Sequence, residues 1–229
     1  MPAPYIATVD HEVASRVLPV VVWADGIVPP ATSSRLELLE ESLARAGRGE
    51  ALVSEIVRGQ VRSMLRHGSY KPTGRGKPAS EFLLQAALRG EFPRVNGPVD
   101  ANNAISLVSG LPGSIFDADL TGPRLFLRYG RTGESYVFNP SGQSIDLEDL
   151  VVVCCAIAEQ WKPCGNPVKD SMATKIQPWT QNVVAILYVP RSFGDETALG
   201  WAARFADALA ASCSAHDAGF RVVQEGLAS

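Results

Sequence analysis

The 229-residue sequence lacks any long apolar run and any recognisable export signal. Its longest apolar stretch, Leu150 to Ala158, is about half as long as the roughly 20 residues that a membrane-spanning helix needs. Met1 to Asp10 has no basic start followed by an apolar segment, which is the pattern of a signal peptide. These absences predict a cytoplasmic protein without a membrane partner.

Metal-binding and standard catalytic motifs are also missing. The cysteines, Cys154, Cys155, Cys164 and Cys213, form no CxxC pair, and the spacing of the last three with His216 matches no zinc pattern. The sequence contains no phosphate-binding P-loop, no GxSxG and no HExxH. We therefore expect buried free thiols, no metal and no cofactor. A standard nucleophilic mechanism has no support in the sequence.

An excess of positive charge is absent too. The chain has 21 basic and 24 acidic residues, a net charge of -3, whereas proteins that grip long duplex nucleic acids are usually basic. This composition argues against a general nucleic-acid binder, but it permits a contact with one end of a structured RNA. With 46% hydrophobic residues, the chain can bury a core that needs no metal or disulfide.

What is present is a pattern of helices in the first half and strands mainly in the second. The helical period predicts helices over Arg35–Ala46, Ala51–Arg66, Ser80–Gly90, Asp100–Gly110 and Gly194–Ser212. Apolar runs predict strands at Leu18–Trp23, Arg124–Tyr129, Ser135–Asn139, Leu150–Ala158, Asn182–Val189 and Phe220–Gln224. We expect the second and third of these strands to pair as a hairpin. Without βαβ repetition, the pattern predicts one α+β domain over residues 1–229, with helices packed on a largely antiparallel sheet.

A basic segment without any acidic residue runs between Glu55 and Glu81. Its basic residues are Arg58, Arg62 and Arg66, spaced four apart on one helix face, then His67, Lys71, Arg75 and Lys77. Gly74 and Gly76 flank Arg75 and allow close approach of a ligand to the backbone. The segment is either an ordinary solvated face or a phosphate-binding patch, and we assign substrate contacts to Arg62, Arg66, Lys71 and Arg75.

Two further segments concentrate polar side chains. In Val99–Asp119, Asn103 lies in a predicted helix, where it either ties the helix to a loop or holds a polar group of a ligand. In Pro163–Gln177, the side chains of Asp170, Ser171, Thr174 and Lys175 bring a carboxylate, hydroxyls and an ammonium together. That set could bind the two ends of an amino acid or position a water. The alternative is a polar loop with a local Asp–Lys pair.

Three stretches of the sequence resemble a known family. They are YKPTGRGKPASE (Tyr70 to Glu81), RVNGPVDANNAISL (Arg94 to Leu107) and KDSMATKI (Lys169 to Ile176). In order and spacing they resemble the B3/B4 domain, the tRNA-editing module of the phenylalanyl-tRNA synthetase beta subunit. The resemblance covers about residues 58–190 and lacks the remaining regions of that subunit. It implies a mixed α/β body with a pocket in which water cleaves the ester of mischarged tyrosyl-tRNA.

The resemblance also implies roles for single residues. Asn103 matches the asparagine of the family's VDxxN motif, which lines the pocket. Ser114 stands where a histidine usually precedes the FD pair, and Ile186 stands where a glutamate usually helps to recognise the tyrosine hydroxyl. Because an isoleucine side chain cannot accept a hydrogen bond, recognition of tyrosine by the same contacts is not expected.

These observations predict one cleft with Lys71 and Arg75 at its mouth. We expect Asn103, Ser114 and Asp170 to be catalytic, and Thr174 and Lys175 to bind substrate beside them. The predicted activity is trans-acting hydrolysis of mischarged aminoacyl-tRNA, with tRNA or an aminoacyl-tRNA as the partner. Two alternatives stay open: a non-catalytic module that binds tRNA or an amino acid, and a small-molecule enzyme that reuses the pocket.

Overall fold

The computed structural model of the protein describes residues 4–28, 36–158 and 160–227. The helices of this part of the chain are α1 (His11–Ala14), α2 (Glu37–Gly47), α3 (Glu55–Leu65), α4 (Ala79–Leu88), α5 (Gly97–Ser109), α6 (Ala118–Thr121) and α7 (Gly194–Cys213). The strands are β1 (Ile6–Val9), β2 (Val17–Asp25), β3 (Gly113–Asp117), β4 (Arg124–Tyr129), β5 (Ser135–Val137), β6 (Ser144–Asp146), β7 (Val151–Ile157), β8 (Gln160–Gly165), β9 (Asn182–Pro190), β10 (Asp217–Val222) and β11 (Gln224–Glu225).

The strands form two larger sheets and one small hairpin. The order of the first sheet is β11-β1-β4-β7-β8, and that of the second is β10-β2-β9-β3. Strands β5 and β6 pair separately. Only the pairings of β1 with β4 and with β11 are parallel among the described strands. The fold is therefore α+β with largely antiparallel sheets, as the sequence predicted.

Strand β2 is the central element of the second sheet. Its β-branched residues suit a strand that is covered on both faces, and Val17 to Ala24 are all buried. Helix α7 packs on β2 and β10, and α5 packs on α7. Side chains from both larger sheets and these helices belong to one hydrophobic core. Burying each large apolar side chain there contributes about 1.5–3 kcal/mol.

Four residues predicted to lie in the core are fully buried: Val151, Val153, Val184 and Ile186. They come from β7 and β9, the two continuous apolar runs of the second half of the sequence. All four cysteines are free and buried in this structure. No helix in the described part of the chain has the length and apolarity that crossing a membrane requires.

Several predicted elements need correction. The hairpin of Arg124–Tyr129 with Ser135–Asn139 is wrong, because β1 and β7 occupy the two edges of β4, while β5 pairs with β6. Helix α3 begins at Glu55 because the Ser54 side chain accepts a hydrogen bond from Val57 N and caps it. The predicted start of the first long helix at Arg35 lies outside the described residues.

Helix α5 begins three residues before the predicted Asp100. The Asn96 side chain caps it by accepting from Val99 N, and Pro98 follows within the first turn, where a missing N–H has no cost. Asp100 instead accepts from Val95 N across 2.9 Å.

Candidate functional site

A cavity of about 420 Å³ lies beside strand β3, between α5, the loop that follows β8 and the segment that follows β5. Its apolar walls come from Val95, Val99, Ile115, Phe138, Val168 and Ile176. Its polar lining comes from Asn96, Asn102, Asn103, Asn139, Asn166, Lys169, Asp170 and Lys175. Apolar walls with a few convergent polar groups, at this size, are typical of a site for a small ligand.

Strand β3 supplies the frame of the cavity. It is the last strand of its sheet, with β9 on one side, so its other edge carries backbone groups that need partners. Gly113 O accepts from Asn102 Nδ2 across 3.4 Å, and Ile115 N donates to Asp170 Oδ2 across 3.1 Å. Two polar side chains, one from α5 and one from the loop after β8, are thereby fixed at the free edge of β3.

Asp170 is the acidic residue of the cavity. Its Oδ1 is enclosed and has no hydrogen-bond partner among the described residues. Burial raises the pKa of Asp170 to about 7, although the Ser114 hydroxyl, the Ile115 N–H and the charge of Lys175 act in the opposite direction. A carboxyl group that titrates near neutral pH can accept and return a proton under physiological conditions.

A glycine lies against each of two unpartnered oxygens in this site. A Cβ atom on Gly165 would come within 2.7 Å of Asp170 Oδ1, and one on Gly113 would come within 2.4 Å of Asn102 Oδ1. Asn102 is buried, and its Oδ1 also has no partner among the described residues. Because Gly113 O can only accept, it fixes the orientation of the amide and leaves Asn102 Oδ1 for a ligand. Two buried acceptor oxygens of residues that line the cavity thus have no hydrogen-bond partner within the described residues.

The loop that carries Asp170 is held by a hydrogen-bond network. Asn166 Oδ1 accepts from Val168 N and Lys169 N at 2.8 and 2.9 Å, and its Nδ2 donates to Tyr136 Oη at 2.7 Å. Tyr136 Oη in turn donates to Lys169 O at 2.6 Å. These contacts tie the loop to strand β5 and position the residue that follows, Asp170.

Basic side chains gather beside the cavity. Lys169 Nζ lies 3.7 Å from the centre of the Phe138 ring, close enough for a cation–π contact. Burial lowers the pKa of Lys169, and the nearby positive charges of Arg75 and Lys175 lower it further. None of these three basic residues forms an ion pair with a carboxylate of the described chain. An anion at this place would therefore be attracted by several uncompensated charges.

The structure brings together three residues of the predicted cleft, namely Asn103, Asp170 and Lys175. It does not place Ser114 or Thr174 in the cavity. Side chains alternate along β3, so Gly113 and Ile115 face the cavity while Ser114 is buried, with its Oγ 2.9 Å from Tyr188 Oη. Thr174 is buried and donates to Cys164 O across 3.4 Å. The prediction that these two hydroxyls line the cleft is corrected.

The predicted stripe of free arginines on α3 is also corrected. Arg62 binds Glu81 of α4 through two hydrogen bonds of 2.6 and 2.5 Å, and Arg58 Nη2 lies 3.7 Å from the same carboxylate. Glu81 is buried, so these arginines neutralise a charge inside the fold. Arg66, Lys71 and Arg75 form no such pair within the described residues.

Sequence reasoning missed Asn102, Lys169 and Phe138. The sequence contained a signal for Asn102. Val99, Asn102 and Asn103 are three and four residues apart, so they share one face of α5, and all three line the cavity. Phe138 offered no comparable signal, because its position depends on the pairing of β5 with β6.

Fold and cavity together define an α+β protein with a partly open, asparagine-rich site at the free edge of a strand. The model of the B3/4 domain family matches residues 72–192, more than half of the chain. The chain therefore belongs to the B3/4 domain family, and the resemblance seen in its motifs is confirmed.

One solved structure shares this fold over nearly the whole chain. It is an N-terminal fragment of the phenylalanyl-tRNA synthetase beta-subunit from Pyrococcus horikoshii, with a TM-score of 0.51 and 13% sequence identity. The superposition covers 96% of this chain and 51% of that fragment, so the chain spans about half of the length of its structural relative. No curated protein matches the sequence. At this identity the likeness concerns the fold alone.

Proposed function

We propose that the protein hydrolyses the ester bond of mischarged aminoacyl-tRNA as a separate, trans-acting protein. One observation carries the proposal: Asp170, a buried carboxyl group with one oxygen that has no hydrogen-bond partner in the described part of the chain, lines a cavity beside basic side chains. The membership of the B3/4 domain family and the synthetase fragment with the same fold support it.

The reaction needs little from the protein beyond positioning, because an aminoacyl ester is already labile. Asp170 Oδ1 accepts a proton from a water as that water attacks the ester carbonyl carbon. The bond between the carbonyl carbon and the ribose oxygen then breaks, and the proton passes to the leaving ribose hydroxyl. The products are a free amino acid and an uncharged tRNA, and the carboxylate is restored.

The asparagines orient the acyl group in this scheme. Asn103 lines the cavity, and its amide makes no hydrogen bond with the described residues, so it is available to donate to the ester carbonyl oxygen. Asn102 Oδ1 accepts from a donor group on the amino acid. The apolar walls around Val99, Ile115 and Phe138 surround the amino-acid side chain.

Basic residues next to the cavity hold the end of the tRNA. Burial, and then the nearby positive charges of Arg75 and Lys175, lower the pKa of Lys169, and phosphates stabilise such a cluster of positive charges. Lys71 precedes Arg75 in the same loop. The side chains position the terminal nucleotides without reading their sequence.

The proposal is tested by incubating the purified protein with a panel of tRNAs that carry wrong amino acids, and following release of the free amino acid. Release from at least one member, faster than in buffer, is the expected result. Tight binding of charged tRNA without any release would favour the alternative of a non-catalytic module. Cleavage of simple amino-acid esters with no preference for tRNA would favour a small-molecule enzyme.

A further inference from the structure

Seven arginines of the described chain have a carboxylate oxygen within 4 Å, namely Arg45, Arg48, Arg58, Arg62, Arg89, Arg94 and Arg128. Among the other arginines, Arg16, Arg66 and Arg191 are exposed and form no ion pair with any described carboxylate. The three come from separate parts of the chain, yet they meet at one place.

Hydrogen bonds join these three residues. Arg191 N donates to Arg16 O across 2.8 Å, and Arg16 Nη1 donates to Arg66 O across 2.6 Å. Arg16 and Arg191 line a groove of about 380 Å³ together with polar side chains that include Gln60, Ser63 and Ser192. Guanidinium groups beside hydroxyls and an amide form a donor-rich surface, which suits phosphate oxygens.

A basic loop connects this groove with the cavity. Arg66 follows the last residue of α3, and its carbonyl oxygen accepts the hydrogen bond from Arg16 of the groove. Ala79, the first residue of α4, lines the cavity. The residues between them include Lys71, Arg75 and Lys77, none of which forms an ion pair within the described chain. The acids that reach this loop are Glu12 and Asp149, which lie 3.7 and 3.9 Å from His67 Nε2. The loop therefore carries unpaired positive charge from Lys71 to Lys77, and the two acids lie near its start, at His67.

We propose that the groove lined by Arg16 and Arg191, together with Arg66 beside it, binds backbone phosphates of the tRNA whose charged end occupies the cavity. This inference rests on the proposed function for its partner. Each phosphate contact releases counterions, so binding weakens steeply as salt rises. The groove shares no lining residue with the cavity, so it contributes to affinity for the whole tRNA and not to cleavage of the ester.

Charge reversal tests the groove. Arg191→Glu, and the double variant Arg66→Glu with Arg191→Glu, are compared with Arg204→Glu, which makes the same change of charge on α7. Binding of tRNA is measured across a salt series. At about 0.1 M salt, we expect a loss of about tenfold in affinity for each phosphate contact removed, together with a shallower dependence on salt. The control is expected to bind like the wild type, and thermal unfolding verifies that every variant folds.

Cleavage of a substrate that is too small to reach the groove tests the proposed function independently of this inference. For Arg191→Glu, cleavage of an aminoacyl ester of adenosine is expected at the wild-type rate, because that ester does not reach the groove. If the double variant bound tRNA with wild-type affinity and salt dependence, the assignment of the groove to phosphate binding would be wrong. The proposed function would not be affected. If polyglutamate competed with bound tRNA as well as unlabelled tRNA does, the groove would bind any polyanion, and its assignment to RNA would be wrong. Absence of cleavage of any substrate by the wild type would instead contradict the proposed function, and the binding series would still test the groove.

Discussion

The backbone N–H of Ile115 donates to Asp170 Oδ2 across 3.1 Å, so one oxygen of this carboxylate is fixed at the free edge of β3. The other oxygen, Oδ1, is enclosed and has no partner within the described residues. One oxygen of the side chain thus has a structural contact, and the other has no such contact within the described residues. This division separates the effect of Asp170 on the fold from its effect on a reaction.

The rate of ester cleavage is predicted to depend on the protonation of Asp170. Because its pKa is about 7 and the ionised form is the base, the rate should rise as pH increases through about 7 and then level off. The measurement is release of amino acid from charged tRNA at several pH values, corrected for hydrolysis in buffer. If the rate changed with pH only as hydrolysis in buffer does, Asp170 would not be the base.

The stability of the protein is predicted to fall over the pH range in which the cleavage rate rises. The folded-state pKa of Asp170 lies above its usual value of 3.8, so the folded state binds more protons than the unfolded state between those pH values. The free energy of unfolding of the wild type, relative to Asp170→Asn, should fall as pH rises from about 4 to about 7. Urea unfolding of both proteins at pH 4.5 and pH 7.5 measures this difference. An unchanged difference would mean that burial does not shift this carboxyl group.

Gly113→Ala is predicted to disturb the cavity. The new Cβ would lie 2.4 Å from Asn102 Oδ1, so the Asn102 side chain or the strand must move, at a cost of about 1–3 kcal/mol in stability. Gly59→Ala in α3 is the matched control, because nothing lies within 4 Å of its Cβ, and it should be neutral or stabilising. Thermal unfolding and ester cleavage measure both effects. Equal behaviour of the two variants would contradict the packing of Asn102 on Gly113.

Arg62→Ala is predicted to lower stability without lowering the affinity for tRNA. It removes two hydrogen bonds from the buried Glu81, and about 1–3 kcal/mol is expected for a buried acceptor that loses its partner. Arg45→Ala is the control, since its ion pair with Glu50 is exposed and such pairs contribute less than about 1 kcal/mol. A strong loss of tRNA binding by a well-folded Arg62→Ala protein would restore the interpretation of α3 as a phosphate stripe.

Part of this architecture was accessible from the sequence, because some segments carry their own signal. The continuous apolar runs that became β7 and β9 predicted buried strands, and the VDANN segment placed Asn103 on a helix. Strand β3 could not be found in the same way, since Gly113 and Asp117 at its ends are poor strand formers and its pairing with β9 is remote in sequence.

Contacts between distant residues account for the errors at the site. Spacing along α3 correctly put Arg58 and Arg62 on one face, but it could not reveal that Glu81 of a different helix neutralises them. Ser114 was placed in the cleft because it stands where the family usually has a histidine, whereas alternation along β3 buries its hydroxyl beside Tyr188. A residue's face is fixed by the register of the sheet, which a motif alone does not give.

The most direct test of the account is the rate of amino-acid release from mischarged tRNA by the wild type, by Asp170→Asn and by Asp207→Asn. The first substitution keeps the size and the Ile115 contact but removes the charge, and the second makes the same change at an exposed position of α7. We predict a loss of about ten- to a thousandfold for Asp170→Asn, by analogy with the removal of other single polar groups that act in the transition state, and no change for Asp207→Asn. Equal rates for all three folded proteins would contradict the central claim that Asp170 carries the reaction.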